Sequence, residues 1–229
     1  VNPVAIVADY PADPLDPLVR APLDLNSDGR TDLVVANAGS RFLSILYGLP
    51  GNRFEVESLS IGRLASTVVA ADFNGDGRVD LAAGSGGEVM VLLQDRPAAA
   101  ATPGTPVPTA TPAENVRAPF RSIGTFASGS SITSLAAGFF DANRFPDLLV
   151  TRANTSEVYL TGFLQSGDPF FERAGSFPLP PGSGAGGIGL FNQRDDAFDA
   201  VVASRDSDVL TFGLGDGAGS FLSPLLDPF

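Results

Sequence analysis

Two stretches, 24–32 and 72–80, share the pattern D-x-N-x-D-G-x-x-D, which is too specific for an ordinary turn. Oxygen side chains at positions one, three, five and nine converge when a chain coils tightly around one point. Glycine at position six permits the sharp bend, because it tolerates positive φ. The carbonyl of position seven can then face inward. In the first loop the positions are Asp24, Asn26, Asp28, Arg30 and Asp32; in the second, Asp72, Asn74, Asp76, Arg78 and Asp80. This gives hard oxygen ligands in the number calcium prefers, and magnesium would ask for a stricter octahedron and more water. Carboxylates gathered this way repel one another unless a cation balances them. The expectation is two calcium sites. A calcium loop flanked by helices would need Glu at position twelve, where Val35 and Ala83 stand within strand-like L-V-V-A and L-A-A-G.

The loops sit inside a longer repeat. Segments 21–37, 69–85, 136–152 and 187–204 align with one another. Corresponding positions fall at Asp24, Asp72, Asp141 and Phe191, 48, 69 and 50 residues apart. The long interval holds a Pro/Thr/Ala-rich tract that cannot build a core and reads as a flexible insertion. This divides the chain into blades one and two (1–96), the insertion (97–115) and blades three and four (116–229). In this register the third loop, with Asp141, looks two residues short, and the fourth, with Asp195, has lost its first ligands. Neither is expected to hold calcium tightly.

Each period breaks into four short strands, a to d. The a and b strands are nearly continuous runs of small apolar residues, as in strands buried on both faces. A four-stranded unit repeating about every 50 residues points to blades around an axis. The expected fold is all-β, a β-propeller or partial propeller of about four four-stranded blades. Five segments read as d strands: 4–10, 54–61, 119–126, 170–177 and 221–226. One is surplus to four blades, which favours a piece cut from a longer propeller over a padded blade edge.

Composition narrows the function. The chain has no Cys and no His, which excludes the usual zinc sites, thiol chemistry and a Ser-His-Asp triad. All 14 basic residues are Arg, and the net charge of −12 argues against a nucleic-acid surface. No apolar run is long enough to cross a membrane. Gly182, Gly184 and Gly187 spell G-x-G-x-x-G, but a strand-like I-G-L-F follows instead of a helix, so no dinucleotide site is expected.

The strings V-V-A-A-D-F-N-G-D-G-R-V-D-L and L-D-L-N-S-D-G-R-T-D-L resemble the core motif of the FG-GAP/VCBS repeat family. The tail G-L-G-D-G-A-G-S-F resembles the turn that often closes such a repeat. The resemblance is strong in two repeats and degraded in two. It implies an extracellular propeller like the integrin α-subunit head, with calcium in the a–b loops. The implied role is ligand binding, adhesion or scaffolding, and the implied location is secreted or cell-surface. An enzyme is not expected. The alternative is a propeller module of a carbohydrate-active enzyme such as a polysaccharide lyase, although the chain lacks Lys and His as a base. On strand geometry, the b–c and d–a loops share the face opposite the acidic loops. That face should carry Asn37, Arg41, Arg152, Asn154, Arg205 and Asp206, a set suited to a glycan or an acidic protein partner.

Overall fold

A computed structural model describes residues 3–11, 20–37, 39–95, 117, 119–127, 129–191, 197–222 and 225–228. The insertion read at 97–115 lies outside these residues, and so does Asp195. The described chain is all-β, with four four-stranded antiparallel sheets and one two-stranded ribbon.

Along the chain, β1 (Pro3–Val7) is followed by the ribbon strands β2 (Asp9–Pro11) and β3 (Arg20–Pro22), then β4 (Leu33–Asn37), β5 (Phe42–Leu49) and β6 (Arg53–Ser60). Sheet 1 runs β1-β4-β5-β6. Sheet 2 comprises β7 (Thr67–Ala71), β8 (Asp80–Ser85), β9 (Glu88–Gln94) and β10 (Phe120–Phe126). Sheet 3 comprises β11 (Ile132–Gly138), β12 (Asp147–Arg152), β13 (Thr155–Phe163) and β14 (Pro169–Pro178). Sheet 4 comprises β15 (Ser183–Gly189), β16 (Asp199–Ser204), β17 (Val209–Gly213) and β18 (Leu225–Pro228). Sheets 2 to 4 are meanders of sequence neighbours, and sheet 1 is the same meander interrupted by the β2–β3 ribbon, so the strands of each sheet correspond to the a, b, c and d strands of one blade.

The segment 4–10, expected as one of five d strands, is instead the a strand of sheet 1: β1 pairs with β4, Ile6 opposite Val35. The chain leaves this strand at Ala8, makes the β2–β3 ribbon, and rejoins at Leu23, whose N–H donates to the Ala8 carbonyl at 2.9 Å. The excursion separates the a strand from its loop in sequence, which is why the strand count came out one too high.

Three apolar layers glue the sheets together. Leu81 and Ala83 of β8 face sheet 1, where they meet Val34, Ala36 and Ile45. Ala82 of β8 faces sheet 3, where it meets Leu148 and Val150. Leu149 of β12 faces sheet 4, against Ala200 and Val202. Alternate residues of one strand thus serve opposite neighbours, which explains why the b strands carry no polar side: β12 is buried at every residue. The innermost strands of all four sheets line a cavity of about 550 Å³.

Candidate metal centre

The two intact loops fold alike because the same groups tie them. In the first, Asp24 accepts backbone N–H bonds from Asp28 (3.1 Å) and Gly29 (2.8 Å). Asn26 Oδ1 accepts from the Asp28 N–H, and Asp28 Oδ1 accepts from the Arg30 N–H at 2.9 Å. In the second, Asp72 accepts from Gly75, Asp76 and Gly77, Asn74 from Asp76, and Asp76 from Arg78. These bonds curl the chain inward at positions one, three and five. Two positions are left-handed: position six, at Gly29 (φ 80°) and Gly77 (φ 82°), and position four, at Ser27 (φ 58°) and Gly75 (φ 72°). Leu23 and Leu25, both buried, anchor the first loop on either side of Asp24.

Position nine does something the sequence did not announce. Asp32 is fully buried, and its two oxygens accept the N–H groups of Leu25 (2.8 Å) and Gly48 (2.8 Å). Asp80 does the same for Phe73 and Gln94, Asp147 for Phe140 and Thr161, and Asp199 for Phe191 and Gly215. One carboxylate per blade therefore latches the a–b loop to the end of the c strand.

The latch also corrects the register of the degraded loops. Phe140, seven residues before Asp147, fills the place of Leu25 and Phe73, so Phe139 stands at position one and Asp141 at position three. Two further features agree: Asn143 and Phe145 take the same hydrogen bonds as Asp28 and Arg30, and Arg144 is left-handed at position six (φ 71°). The third loop is full length and was misaligned by two residues. In the fourth, Phe191 sits at position two, eight residues before Asp199, so that loop is one residue longer and Leu190 holds position one. Hydrophobic residues thus replace the first ligand in both.

The intact loops are electrically strained. Burial, followed by the charges of Asp24 and Asp28, raises the pKa of Asp32 against its two N–H bonds. Asp80 is pushed up to about 8, chiefly by burial, with Asp72 and Asp76 adding to it. Asp72 is raised by burial and then by Asp76. The Arg30 guanidinium, 3.1 Å from Asp28, offers partial counter-charge at the rim. Among the described residues, acidic side chains do not close in a group of three at metal-holding distances; the loop acids turn onto loop N–H groups instead. The donors nevertheless fit a hard cation: each loop presents side-chain oxygens at positions one, three, five and nine.

The opposite face is less uniform than expected. Arg41, Asn154, Arg205 and Asp206 are exposed, and Arg205 pairs with Asp206 at 3.4 Å. Asn37 turns inward, donating to Ser44 Oγ at 2.9 Å and to the Phe42 carbonyl. Arg152 is 2% exposed. It pairs with Glu157 at 3.0 Å and donates to the carbonyls of Gly87, Ala127 and Ser130, pinning sheet 3 to the loops of sheet 2. Arg152 is a staple between sheets and presents no charge to a ligand.

Fold and loops together define a β-propeller-type repeat module. Residues 24–83, which span both intact loops, match the family model of the FG-GAP-like repeat. A search of curated proteins finds no match. Among solved structures, the chain is similar to one described as a crystal structure of BBS1N in complex with ARL6DN, soaked with lead. That similarity has 12% identity and a TM-score of 0.29, and covers 99% of this chain and 85% of the other.

Proposed function

We propose that this chain is a noncatalytic, calcium-braced propeller-type module that works outside the cytoplasm in ligand binding, adhesion or scaffolding. The observation that carries the metal assignment is the duplicated loop, in which the same three side chains make the same backbone bonds twice. Asp24, Asn26, Asp28 and Asp32, with the Arg30 carbonyl, would hold one ion. Asp72, Asn74, Asp76 and Asp80, with the Arg78 carbonyl, would hold the other. The ion supplies the positive charge that offsets the mutual repulsion of these acids, and so braces the a–b corners.

The three tyrosines, which a lyase without Lys or His would need as its base, support a noncatalytic role. Burial pushes Tyr47 up to about 12, and Tyr159 donates to Glu157 within the staple. Tyr10 is raised by burial and by the nearby Asp72 and Asp24. None of the three is poised to act as a base at neutral pH. A glycan or acidic protein partner would meet Arg41, Asn154, Arg205 and Asp206 on the face away from the metal.

Thermal unfolding with millimolar calcium against EDTA tests the metal assignment. At a free concentration one hundred times the dissociation constant, each site adds about 2.7 kcal/mol. An unchanged melting temperature would remove it. Binding to a glycan array, lost on Arg41→Ala with Arg205→Ala, tests the ligand face.

A further inference from the structure

Of the chain's asparagines, Asn74 alone is followed by glycine. The backbone nitrogen after an asparagine lies within reach of that residue's side-chain amide carbon, and attack there closes a five-membered imide. A Cβ on the following residue crowds the nitrogen, whereas glycine leaves it open. The second loop adds a contact on each of the reacting atoms. The Gly75 N–H donates to Asp72 Oδ1 at 2.8 Å, so a carboxylate stands on the proton that the nitrogen must lose. The Asp76 N–H donates to Asn74 Oδ1 at 3.0 Å, where negative charge builds as the amide carbon is attacked. Asn74 Nδ2, the nitrogen that must leave, donates to Asp76 Oδ2 at 3.2 Å. Asn74 is half-buried, and Gly75 and Asp76 are exposed, so water has access to the site. The first loop repeats the last two contacts around Asn26, but Ser27 stands where the second loop has Gly75.

We propose that Asn74 is a site of spontaneous modification: when the second loop holds no ion it deamidates itself there, and the first loop does not. The Gly75 nitrogen forms a bond to Asn74 Cγ while its proton passes to Asp72. The Cγ–Nδ2 bond breaks, and Nδ2 takes up a proton and leaves as ammonia. Water then adds across one of the two C–N bonds of the imide. Opening the side-chain bond leaves aspartate; opening the backbone bond leaves isoaspartate, with one more atom in the main chain. The sequence of steps needs water alone and no redox partner. Either product sets a new carboxylate among Asp72, Asp76 and Asp80, so it changes the charge of the second loop and leaves the first as it was. One clause rests on the metal assignment proposed above: a bound ion would engage the oxygens of Asp72 and Asn74 and so slow the first step.

Cleavage after arginine isolates each loop's asparagine in its own fragment: 64–78 holds Asn74 and 21–30 holds Asn26, each without another amide side chain. The full chain is kept in EDTA at mildly alkaline pH and physiological temperature, then digested and weighed by mass spectrometry. Fragment 64–78 should show the mass gain of amide-to-acid conversion at a rate at least about tenfold that of 21–30. No gain in 64–78, or equal rates in the two fragments, would overturn the proposal. Asp72→Ala keeps the Asn-Gly pair and should slow the gain; a variant that converts as fast as the wild type would overturn the part given to Asp72. Calcium should slow the gain in the wild type. A gain in EDTA that calcium leaves unchanged supports the modification and counts against the metal assignment alone, so the two failures are distinct.

Discussion

Replacing Asp147 separates the latch from the metal, because its loop carries Phe139 where the intact loops carry their first acid. The carboxylate is fully buried, and its oxygens take the N–H groups of Phe140 at 2.7 Å and Thr161 at 2.8 Å. Asp147→Ala strands both. A buried, unpaired N–H costs about 1–3 kcal/mol, so the pair costs roughly 2–6 kcal/mol. Asp147→Asn keeps one acceptor and sets an amide donor against the other N–H, for about 1–3 kcal/mol. In a domain of this size each kcal/mol moves the melting temperature by about 2–4 °C.

The penalty also depends on pH. Burial pushes Asp147 up to about 7, against backbone N–H bonds from Thr161, Phe140 and Asp141, whereas an unfolded aspartate titrates near its ordinary value. Between those values the folded state holds a proton that the unfolded state has released. The wild type is therefore most stable below the unfolded value and loses that contribution as pH rises through about 7. Asp147→Ala lacks this loss. Its penalty should be larger near pH 5.5 than near pH 7.5, by about 1–2 kcal/mol. Urea melts at both pH values, in EDTA, measure it. A variant as stable as wild type at pH 5.5, or a penalty that grows with pH, would refute the reasoning.

Other outcomes follow from the same contacts. Asp28→Ala with Asp76→Ala should abolish the calcium-dependent rise in melting temperature while leaving the far-UV spectrum unchanged. The increment that calcium adds to the wild type should grow as pH rises from about 5 to about 8, because protons compete for Asp80, itself pushed up to about 8; melting in paired calcium and EDTA samples across that range checks it. Arg152→Met leaves the buried Glu157 with Arg173 as its remaining cationic partner and unpairs the carbonyls that Arg152 caps, and should cost about 1–3 kcal/mol in denaturant melts, at every calcium concentration. Gly75→Ala should lower stability even in calcium, because the residue is left-handed and a Cβ would meet the Phe145 ring at 2.6 Å.

Much of the fold was legible because the b strands declare it. Runs such as L-A-A-G and L-L-V-T are apolar on both sides, which only a strand between two packed sheets requires. The two intact loops were legible letter by letter. What escaped was set by tertiary contacts. β1 hid because the ribbon excursion cuts it from its own loop. The third loop slipped by two residues because first acid was matched to first acid; counting back eight from the aspartate before L-L-V would have placed Phe139 at position one. Arg152 looked like a surface residue at a turn, and nothing local shows that carbonyls of sheet 2 close over it. The latch role of position nine was masked by its resemblance to a metal ligand, yet that aspartate is the loop acid present at its place in all four blades.

The central claim is that the two intact loops each hold one calcium ion and the degraded loops hold none. Isothermal titration of calcium into EDTA-stripped protein tests it most directly. The stoichiometry should be near two, falling to one in Asp28→Ala and to none when Asp76→Ala is added. No heat of binding, or a stoichiometry near four, would contradict it.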